Sequence, residues 1–159
     1  MLTHIDENGN AVMVDVGAKA VTHREAVAVG RITMSGECFA MVAEGRAKKG
    51  DVLGVAQVAG IMAAKRTFES IPLCHPLLLT TCRVEFTMLR AEHAIEARCT
   101  TQCVGKTGVE MEALHGVTIA LLTIYDMCKA ADRGMVLSDI HLAEKSGGKS
   151  GHFVFEDER

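Results

Sequence analysis

The amino-acid sequence predicts an α+β fold, a ferredoxin-like two-layer sandwich with a mainly antiparallel sheet and the helices on one face. The predicted order of elements is strand, helix, helix, strand, strand, helix, strand, which suits that architecture. The 159 residues fit one domain, spanning 1–159, better than two. Apolar residues make up 48% and charged residues 23% of the chain. These fractions are typical of globular domains and argue against disordered, collagenous and coiled-coil proteins.

The N-terminal part is predicted to contain an arm and the first strand. Residues 1–15 are expected to be flexible or arm-like, and the Asn8-Gly9 pair between two extended runs is a hairpin signal. This segment could also grip a neighbouring subunit. Side chains alternate between two faces from Arg24 to Met34, which predicts a strand. A short helix is predicted to follow, over about 36–44.

A long helix is predicted next, beginning after Asp51, whose side chain can cap it. The segment is rich in Ala and carries apolar residues such as Val52 and Val55 at helical spacing. We expect the helix to run to about Ser70, because Pro72 then stops it.

The second half is predicted to contain a rigid loop, a hairpin, a helix and a final strand. Two prolines keep Ile71–Leu77 extended or turned. Thr80–Met88 and Ala94–Val104 alternate as two antiparallel strands joined by a short polar turn. Helical spacing predicts a helix over about Val109–Ala131, and the last strand lies near Met135–Glu144.

The last predicted helix is apolar almost all round from Val117 to Cys128. In a domain this small, such a helix needs more cover than its own sheet supplies. A partner subunit is the expected cover, so we predict a homo-oligomer. Residues 145–159 are expected to form a glycine-lysine loop and an acidic tail.

Charge and segment composition limit the possible partners and locations. A formal net charge of −3 provides no general attraction for nucleic acid or an anionic membrane, although a local basic pocket remains possible. The N-terminus lacks the basic start and apolar stretch of a signal peptide, and no apolar run is long enough to span a membrane. We therefore expect a soluble cytoplasmic protein that binds neither nucleic acid nor membrane.

The six cysteines contain no CxxC pair, so most are expected to be reduced core thiols. A zinc site can be written from Cys74, His75, Cys99 and Cys103, but their spacing matches no standard zinc motif. We predict no metal site and no cofactor.

Two glycine-lysine segments, Gly105-Lys106-Thr107 and Gly148-Lys149-Ser150, resemble phosphate loops. Neither is a Walker A motif, because the required upstream glycine is replaced by Thr100 and Ala143 respectively. Small residues still let backbone N–H groups approach an anion, and the start of the last helix offers free donors. The alternative, tight turns with solvated lysines, stays open.

The proline-braced loop Ile71–Leu77 carries a thiol, Cys74, beside an imidazole, His75. Histidine can bind an anion or exchange protons near neutral pH, but a satisfied core histidine is an equal alternative. Apart from His75, no dedicated group is present to activate Cys74 as a nucleophile.

Asp126 and Lys129 stand three residues apart on one face of the last helix, in a segment whose other residues are mostly apolar. Buried together, a carboxylate and an amine can tune each other's pKa for acid–base catalysis. The alternative is an ordinary ion pair on a helix face. Glu110 and Glu112 lie in the first turns, and Glu112 is about 21 Å from Asp126 along the helix. One small substrate cannot contact both within one chain.

Four motifs in this order resemble the molybdenum cofactor biosynthesis protein C family, the MoaC or cyclic pyranopterin monophosphate synthase family. The motifs are Ile71–Leu77, Gly105–Leu114, Leu122–Ala130 and Lys145–Gly151, and the resemblance runs from about Leu2 to Gly151. Each motif alone is weakly specific, whereas the ordered set is highly specific.

The resemblance implies a lyase that converts 3',8-cyclised dihydro-GTP, made by an upstream radical enzyme, to cyclic pyranopterin monophosphate with release of pyrophosphate. It also implies a homohexamer, a trimer of dimers, with active sites at subunit interfaces and functional coupling to that upstream enzyme. A non-catalytic nucleotide or phosphate-binding oligomer, and a purely structural oligomer, remain the alternatives.

The resemblance also implies site residues. Asp126 and Lys129 correspond to the family's central catalytic pair. The positions that correspond to the pterin site are Leu73, Cys74, His75, Met111 and Glu112, and Glu110 is a further substrate-binding position. The basic positions expected near the triphosphate are Lys49, Lys65 and Lys145.

Overall fold

The structure, a computed structural model, describes residues 4–156; the ends of the predicted arm and acidic tail, 1–3 and 157–159, lie outside the described residues. A short 3₁₀ turn at Arg90–Glu92 joins the second and third strands. The helices and strands are β1 Thr22–Thr33, α1 Gly36–Ala43, α2 Val52–Lys65, α3 Thr67–Ser70, β2 Leu79–Leu89, β3 Ala94–Gly105, α4 Glu110–Cys128, β4 Val136–Ser146 and β5 Phe153–Val154.

The five strands form one sheet in the order β2-β3-β1-β4-β5, and every pairing is antiparallel. Helix α4 packs on β1, β3 and β4, while α2 packs on α4 and β2. The fold is therefore the predicted ferredoxin-like α+β sandwich. Its core lies between the sheet and these helices, with fully buried Ile32, Ile95, Leu121 and Ile124 at its centre.

The predicted hairpin is present, with β2 and β3 in register from Leu79↔Cys103 to Leu89↔Ala94 across one irregularity. The turn closes at His93, which has a left-handed backbone conformation with φ 46°. Strand β1 is central because it pairs with β3 on one side and β4 on the other.

Helix α2 begins where the sequence predicts, since the Asp51 carboxylate accepts a hydrogen bond from the Gly54 N–H at 2.9 Å. The prediction that it continues to Ser70 is wrong. The helix ends at Lys65, because Arg66 leaves the α region with φ −119° and ψ 21°. The Thr67 hydroxyl then donates to the carbonyls of the preceding turn, and the separate short helix α3 follows.

The C-terminal elements also differ from their predicted bounds. Helix α4 ends at Cys128 rather than Ala131, and β4 extends to Ser146, so Lys145 lies on a strand instead of in the glycine-lysine loop. Strand β5 was not predicted, because two residues are too short to show a period. It pairs with β4 through Glu144↔Val154 and Lys145↔Phe153.

Helices α2 and α4 meet at two glycines. A Cβ on Gly60 would lie 2.9 Å from the Gly116 carbonyl oxygen, so no larger residue fits there without a shift. Helix α2 of the same chain therefore supplies part of the cover that the apolar helix α4 requires. Leu122 nevertheless remains 50% exposed on α4.

The described part of the arm forms a small hairpin rather than a strand of the sheet. Ile5 and Ala11 form one antiparallel bridge around the predicted turn, and the Asp6 carboxylate accepts hydrogen bonds from the backbone N–H groups of Asn8 and Asn10. Within residues 4–156, no helix is both long enough and apolar enough to cross a membrane.

Candidate active site

The predicted site residues lie mainly at the two ends of α4. Glu112 stands in the first turn and Asp126 near the last, a separation of about 21 Å at 1.5 Å per residue. We call the group around Glu112 the N-terminal cleft and the group around Asp126 the C-terminal cluster.

The N-terminal cleft has a volume of about 330 Å³ and lies between α4, the loop before β2 and the N-terminal arm. It brings together two motifs that are far apart in sequence, Ile71–Leu77 and the start of α4. Its lining includes all six of the predicted residues from these motifs: Leu73, Cys74, His75, Glu110, Met111 and Glu112.

Glu112 is the buried acid of this cleft, with only 5% of its surface exposed. Burial raises the pKa of its carboxyl to about 7, and the neighbouring charge of Glu110 adds to the increase. A carboxyl with such a pKa can accept or donate a proton near neutral pH. The helix dipole acts in the opposite direction, because Glu112 lies in the first helical turn, where a negative charge is favoured.

His75 is held by the arm. Its Nε2 lies 2.8 Å from the Val14 carbonyl oxygen. A carbonyl oxygen only accepts, so Nε2 carries the hydrogen and Nδ1 of the neutral ring is left as an acceptor. In Cys74, burial and then the charge of Glu112 raise the pKa of the thiol. The raised pKa disfavours a Cys74 nucleophile.

A second cavity, which we call the basic cavity, adjoins the N-terminal cleft and has a volume of about 440 Å³. Both predicted glycine-lysine segments reach it. Lys145 lies here, with its Nζ 3.4 Å from a Glu110 carboxylate oxygen and a side chain that is only 16% exposed. The basic residues lining the cavity are Lys19, Arg24, Lys106, Lys145 and Lys149.

Backbone geometry brings the second glycine-lysine segment against the start of β1. Gly147 has φ 95°, and a Cβ there would lie 2.1 Å from the His23 carbonyl oxygen. Only glycine allows this approach. Two buried polar atoms beside it, Oγ1 of Thr22 and Nε of Arg24, have no hydrogen-bond partner among the described residues. Unpartnered buried polar groups are costly, and a ligand oxygen would satisfy both.

Thr22 and Arg24 were missed by the sequence analysis, although the sequence contains a signal. They fall on the same face of β1 as Ala26, Ala28 and Ile32, which are fully buried. A guanidinium in register with a buried apolar face is unusual unless it is paired or meets a ligand.

The C-terminal cluster contains Asp126, Lys129 and Lys49. The Lys129 ammonium donates to the Asp126 carboxylate at 2.7 Å. Lys49 Nζ lies 3.5 Å from the other carboxylate oxygen and donates to the Asp126 carbonyl at 3.0 Å. The hydrogen bond from Lys129, its charge and the charge of Lys49 lower the pKa of Asp126. A cavity of about 390 Å³, lined partly by Lys49 and Met127, lies alongside.

Of the two interpretations left open by the sequence, the single chain shows the ordinary ion pair, because Asp126 and Lys129 are not buried together. Their side chains are 60% and 52% exposed. The reason is that Asp126 lies on the outer face of α4, the face of exposed Leu122 and away from buried Ile124 and Cys128, while Lys129 follows the last helical residue. The pair is therefore an exposed ion pair in one chain.

The three lysines expected near a triphosphate lie in three different places. Lys49 belongs to the C-terminal cluster and Lys145 to the basic cavity. Lys65, at the end of α2, lines a separate cleft of about 350 Å³ beside the start of β2. One chain therefore does not gather them around one ligand.

The geometry does not support a zinc site formed by Cys74, His75, Cys99 and Cys103. Within residues 4–156, no three His, Cys, Asp or Glu side chains are grouped so that they could hold a metal ion.

Comparison with known proteins gives a consistent set of matches. The MoaC family matches residues 13–148. The chain is 57% identical to the cyclic pyranopterin monophosphate synthase of Heliobacterium modesticaldum over 98% of both chains. It is 55% identical to the synthase of the same name from Clostridium botulinum over 96% of both chains. It is 59% identical to that of Thermoanaerobacter pseudethanolicus over 98% of both chains.

Proposed function

The chain belongs to the MoaC family and is a cyclic pyranopterin monophosphate synthase, a lyase of molybdenum cofactor biosynthesis, and we propose that its active site is shared between subunits. In this arrangement the N-terminal cleft and basic cavity of one subunit face the C-terminal cluster of another. The observation that carries the proposal is the separation of about 21 Å between Glu112 and Asp126 on one rigid helix.

The proposed reaction converts 3',8-cyclised dihydro-GTP to cyclic pyranopterin monophosphate and releases pyrophosphate. Opening one ring, closing another and displacing pyrophosphate require proton transfers and neutralisation of polyphosphate charge. Glu112 suits a proton transfer near neutral pH, because burial raises its pKa to about 7. Lys129 and Asp126 supply a second donor and acceptor, already hydrogen-bonded to each other.

The polyphosphate of the substrate is proposed to occupy the basic cavity. Five lysine and arginine side chains line it, and the unpartnered Arg24 Nε and Thr22 Oγ1 lie buried beside it. The guanidinium is suited to a phosphate because it offers several N–H donors in one plane. The purine-derived rings would then lie in the adjoining N-terminal cleft, against Met111 and beside His75.

A homohexamer, built as a trimer of dimers, is the proposed assembly. Exposed apolar side chains on the outer helix layer support association, notably Val58, which is 60% exposed on α2, and Leu122, which is 50% exposed on α4. Burial at an interface would also remove water from Asp126 and Lys129, which strengthens their interaction and their effect on a bound anion.

We place the enzyme in the cytoplasm, with functional coupling to the radical enzyme that makes its substrate and no nucleic-acid or membrane partner. The six cysteines, all within the described residues, are free thiols, which suits a reducing compartment. The formal charge of −3 gives no general attraction to polyanions.

The second candidate function is a non-catalytic nucleotide or phosphate-binding oligomer. The basic cavity favours it, because that cavity accounts for phosphate binding without any role for the C-terminal cluster. Incubation with cyclised dihydro-GTP separates the two functions. The lyase yields pyrophosphate and the cyclic pterin phosphate in equal amounts, whereas the binding module retains the substrate unchanged. Sedimentation of the same sample tests the assembly, since a monomer of 17.0 kDa with full activity would contradict a shared site.

A further inference from the structure

Two cysteines outside the proposed active site lie at diagonal positions on neighbouring strands. Cys82 on β2 lies opposite Thr101 of β3, and Cys99 on β3 lies opposite Val84 of β2. Two residues along a strand return to the same face, so both cysteines point toward the helices and are diagonal neighbours. This register brings the two thiols close enough for each to change the pKa of the other.

The two sulfurs differ in access to solvent. Cys82 is half-buried and lines the open cleft of about 350 Å³ that also contains Lys65. Cys99 is fully buried beneath α4, where a Cβ on Gly116 would lie 2.6 Å from the Cys99 sulfur. A small solute that enters the cleft therefore reaches Cys82 first and cannot reach Cys99 directly.

Electrostatics separates the two thiols in the same direction. The hydrogen bond from Cys99 and the charge of Lys65 lower the pKa of Cys82, against the opposing effect of burial. The pKa of Cys99 is raised, because its thiol is the donor to Cys82 and because it is buried. Thiolate character is concentrated on the accessible sulfur, while the buried one keeps its proton. Accessible low-pKa thiols next to a second cysteine are the ones that oxidise reversibly.

We propose that Cys82 is a peroxide-reactive thiol and that Cys99 resolves its oxidised form into a disulfide between β2 and β3. The Cys82 thiolate attacks one oxygen of hydrogen peroxide, the O–O bond breaks and hydroxide leaves, which gives a sulfenic acid on Cys82. The Cys99 sulfur then attacks the Cys82 sulfur, and the S–O bond breaks. The Cys99 proton and the leaving hydroxyl form water, so peroxide is reduced while the two thiols are oxidised.

A second pair of neighbouring thiols provides an internal comparison. Cys38 on α1 and Cys128 at the end of α4 also affect each other's pKa, yet both are only 1% exposed. Burial raises the pKa of Cys38 to about 12 and also raises that of Cys128. Neither sulfur combines access with thiolate character, so this pair should stay reduced where the Cys82–Cys99 pair oxidises.

The test treats the reduced full-length protein with one equivalent of hydrogen peroxide and follows its intact mass without reductant. The expected product has lost two hydrogen atoms, and fragmentation of its cross-linked peptides joins Cys82 to Cys99. Cys82→Ser should lose the cross-link, while the control Cys38→Ser should form it as the parent does. Cys99→Ser should stop at the sulfenic acid, which dimedone traps on Cys82.

One further measurement tests the proposal and does not depend on the lyase activity. Lys65→Met should slow the oxidation of Cys82 several-fold, since the lysine favours the thiolate. Circular dichroism checks that the variants fold, and Cys99→Ala replaces Cys99→Ser if the buried serine unfolds the sheet. Unchanged oxidation in Cys82→Ser, or a parental disulfide that joins any other two cysteines, would overturn the proposal.

Discussion

The two ends of α4 hold the same kinds of side chain in opposite environments. At the N-terminal cleft, Glu112 is 5% exposed, and burial raises its pKa to about 7. At the C-terminal cluster, Asp126 is 60% exposed, and the hydrogen bond and charge of Lys129 lower its pKa. One carboxylate is poised to change protonation near neutral pH, whereas the other stays ionised.

This difference indicates which end is complete within one chain. The N-terminal cleft has walls from three parts of the chain and a buried acid, so its chemistry is set by the fold of one subunit. The C-terminal cluster has a fixed ion pair but is open to water, which weakens electrostatic effects. A facing subunit would exclude that water, and the proposed shared site supplies one.

The largest effect is expected at the exposed end. Lys129→Ala should lower turnover by about 10²-fold to 10⁴-fold, the usual cost of removing a positioned proton-transfer group. Product formation from cyclised dihydro-GTP is the measurement, with sedimentation to confirm that the oligomer persists. The control is Arg133→Ala, which deletes an exposed positive charge four residues farther along the chain. This variant should keep parental activity. Parental turnover in Lys129→Ala would remove this lysine from the mechanism.

A mixing experiment tests whether the two ends act across subunits. Inactive Lys129→Ala chains are unfolded with inactive His75→Ala chains and reassembled together. If His75 and Lys129 act from opposite subunits, roughly a quarter of the sites are wholly intact under random pairing. Recovered product formation measures this fraction, and each variant reassembled alone is the control. Verified subunit exchange without recovered activity would place His75 and Lys129 in the same chain.

For the basic cavity we predict a smaller effect, on the binding of pyrophosphate rather than on turnover. Arg24→Met should weaken inhibition by pyrophosphate by about tenfold, since hydrogen bonds to a charged group contribute about 1.5–3 kcal/mol. The inhibition constant for pyrophosphate is the measurement. Arg98→Met removes an equal charge from an exposed position on β3 and is the matched control. Equal inhibition of Arg24→Met and Arg98→Met would mean that Arg24 does not bind the phosphates.

Much of the fold was accessible from the sequence because its signals are local. The alternation that predicts β1 and the hairpin, and the Asp51 cap of α2, depend on neighbouring residues. The end of α2 was misplaced because the break at Arg66 depends on Thr67 bonding back to the preceding turn. Strand β5 exists only through its pairing with β4.

The site was less accessible, because burial is a property of the whole fold. The apolar sequence around Asp126 and Lys129 leaves a buried pair and an ordinary ion pair both open, and the structure shows both side chains exposed, with Asp126 on the outer face of α4. Conversely, nothing local distinguishes Glu112 from Glu110, although only Glu112 is buried. The convergence of the two glycine-lysine segments at Arg24 depends on the pairing of β4 with β1.

The smallest expected effect concerns stability and compares the two ends directly. The pKa of Glu112 is about 7 in the folded protein against an ordinary value of 4.5. The folded state therefore binds more protons than the unfolded state between these values, and stability falls as pH rises through that window. Glu112→Gln removes the buried charge. It should be more stable than the parent above pH 7 by about 1–3 kcal/mol, with the gain vanishing below the ordinary pKa.

Urea unfolding at a series of pH values measures this difference, with Lys129→Met as the matched control at the exposed end. Lys129→Met should leave the pH dependence of stability as it is in the parent across the same window, because exposed ion pairs contribute little to folding. A parental stability profile for Glu112→Gln would mean that the carboxyl titrates equally in the folded and unfolded chains. The two ends of α4 would then not differ in the way that their burial indicates.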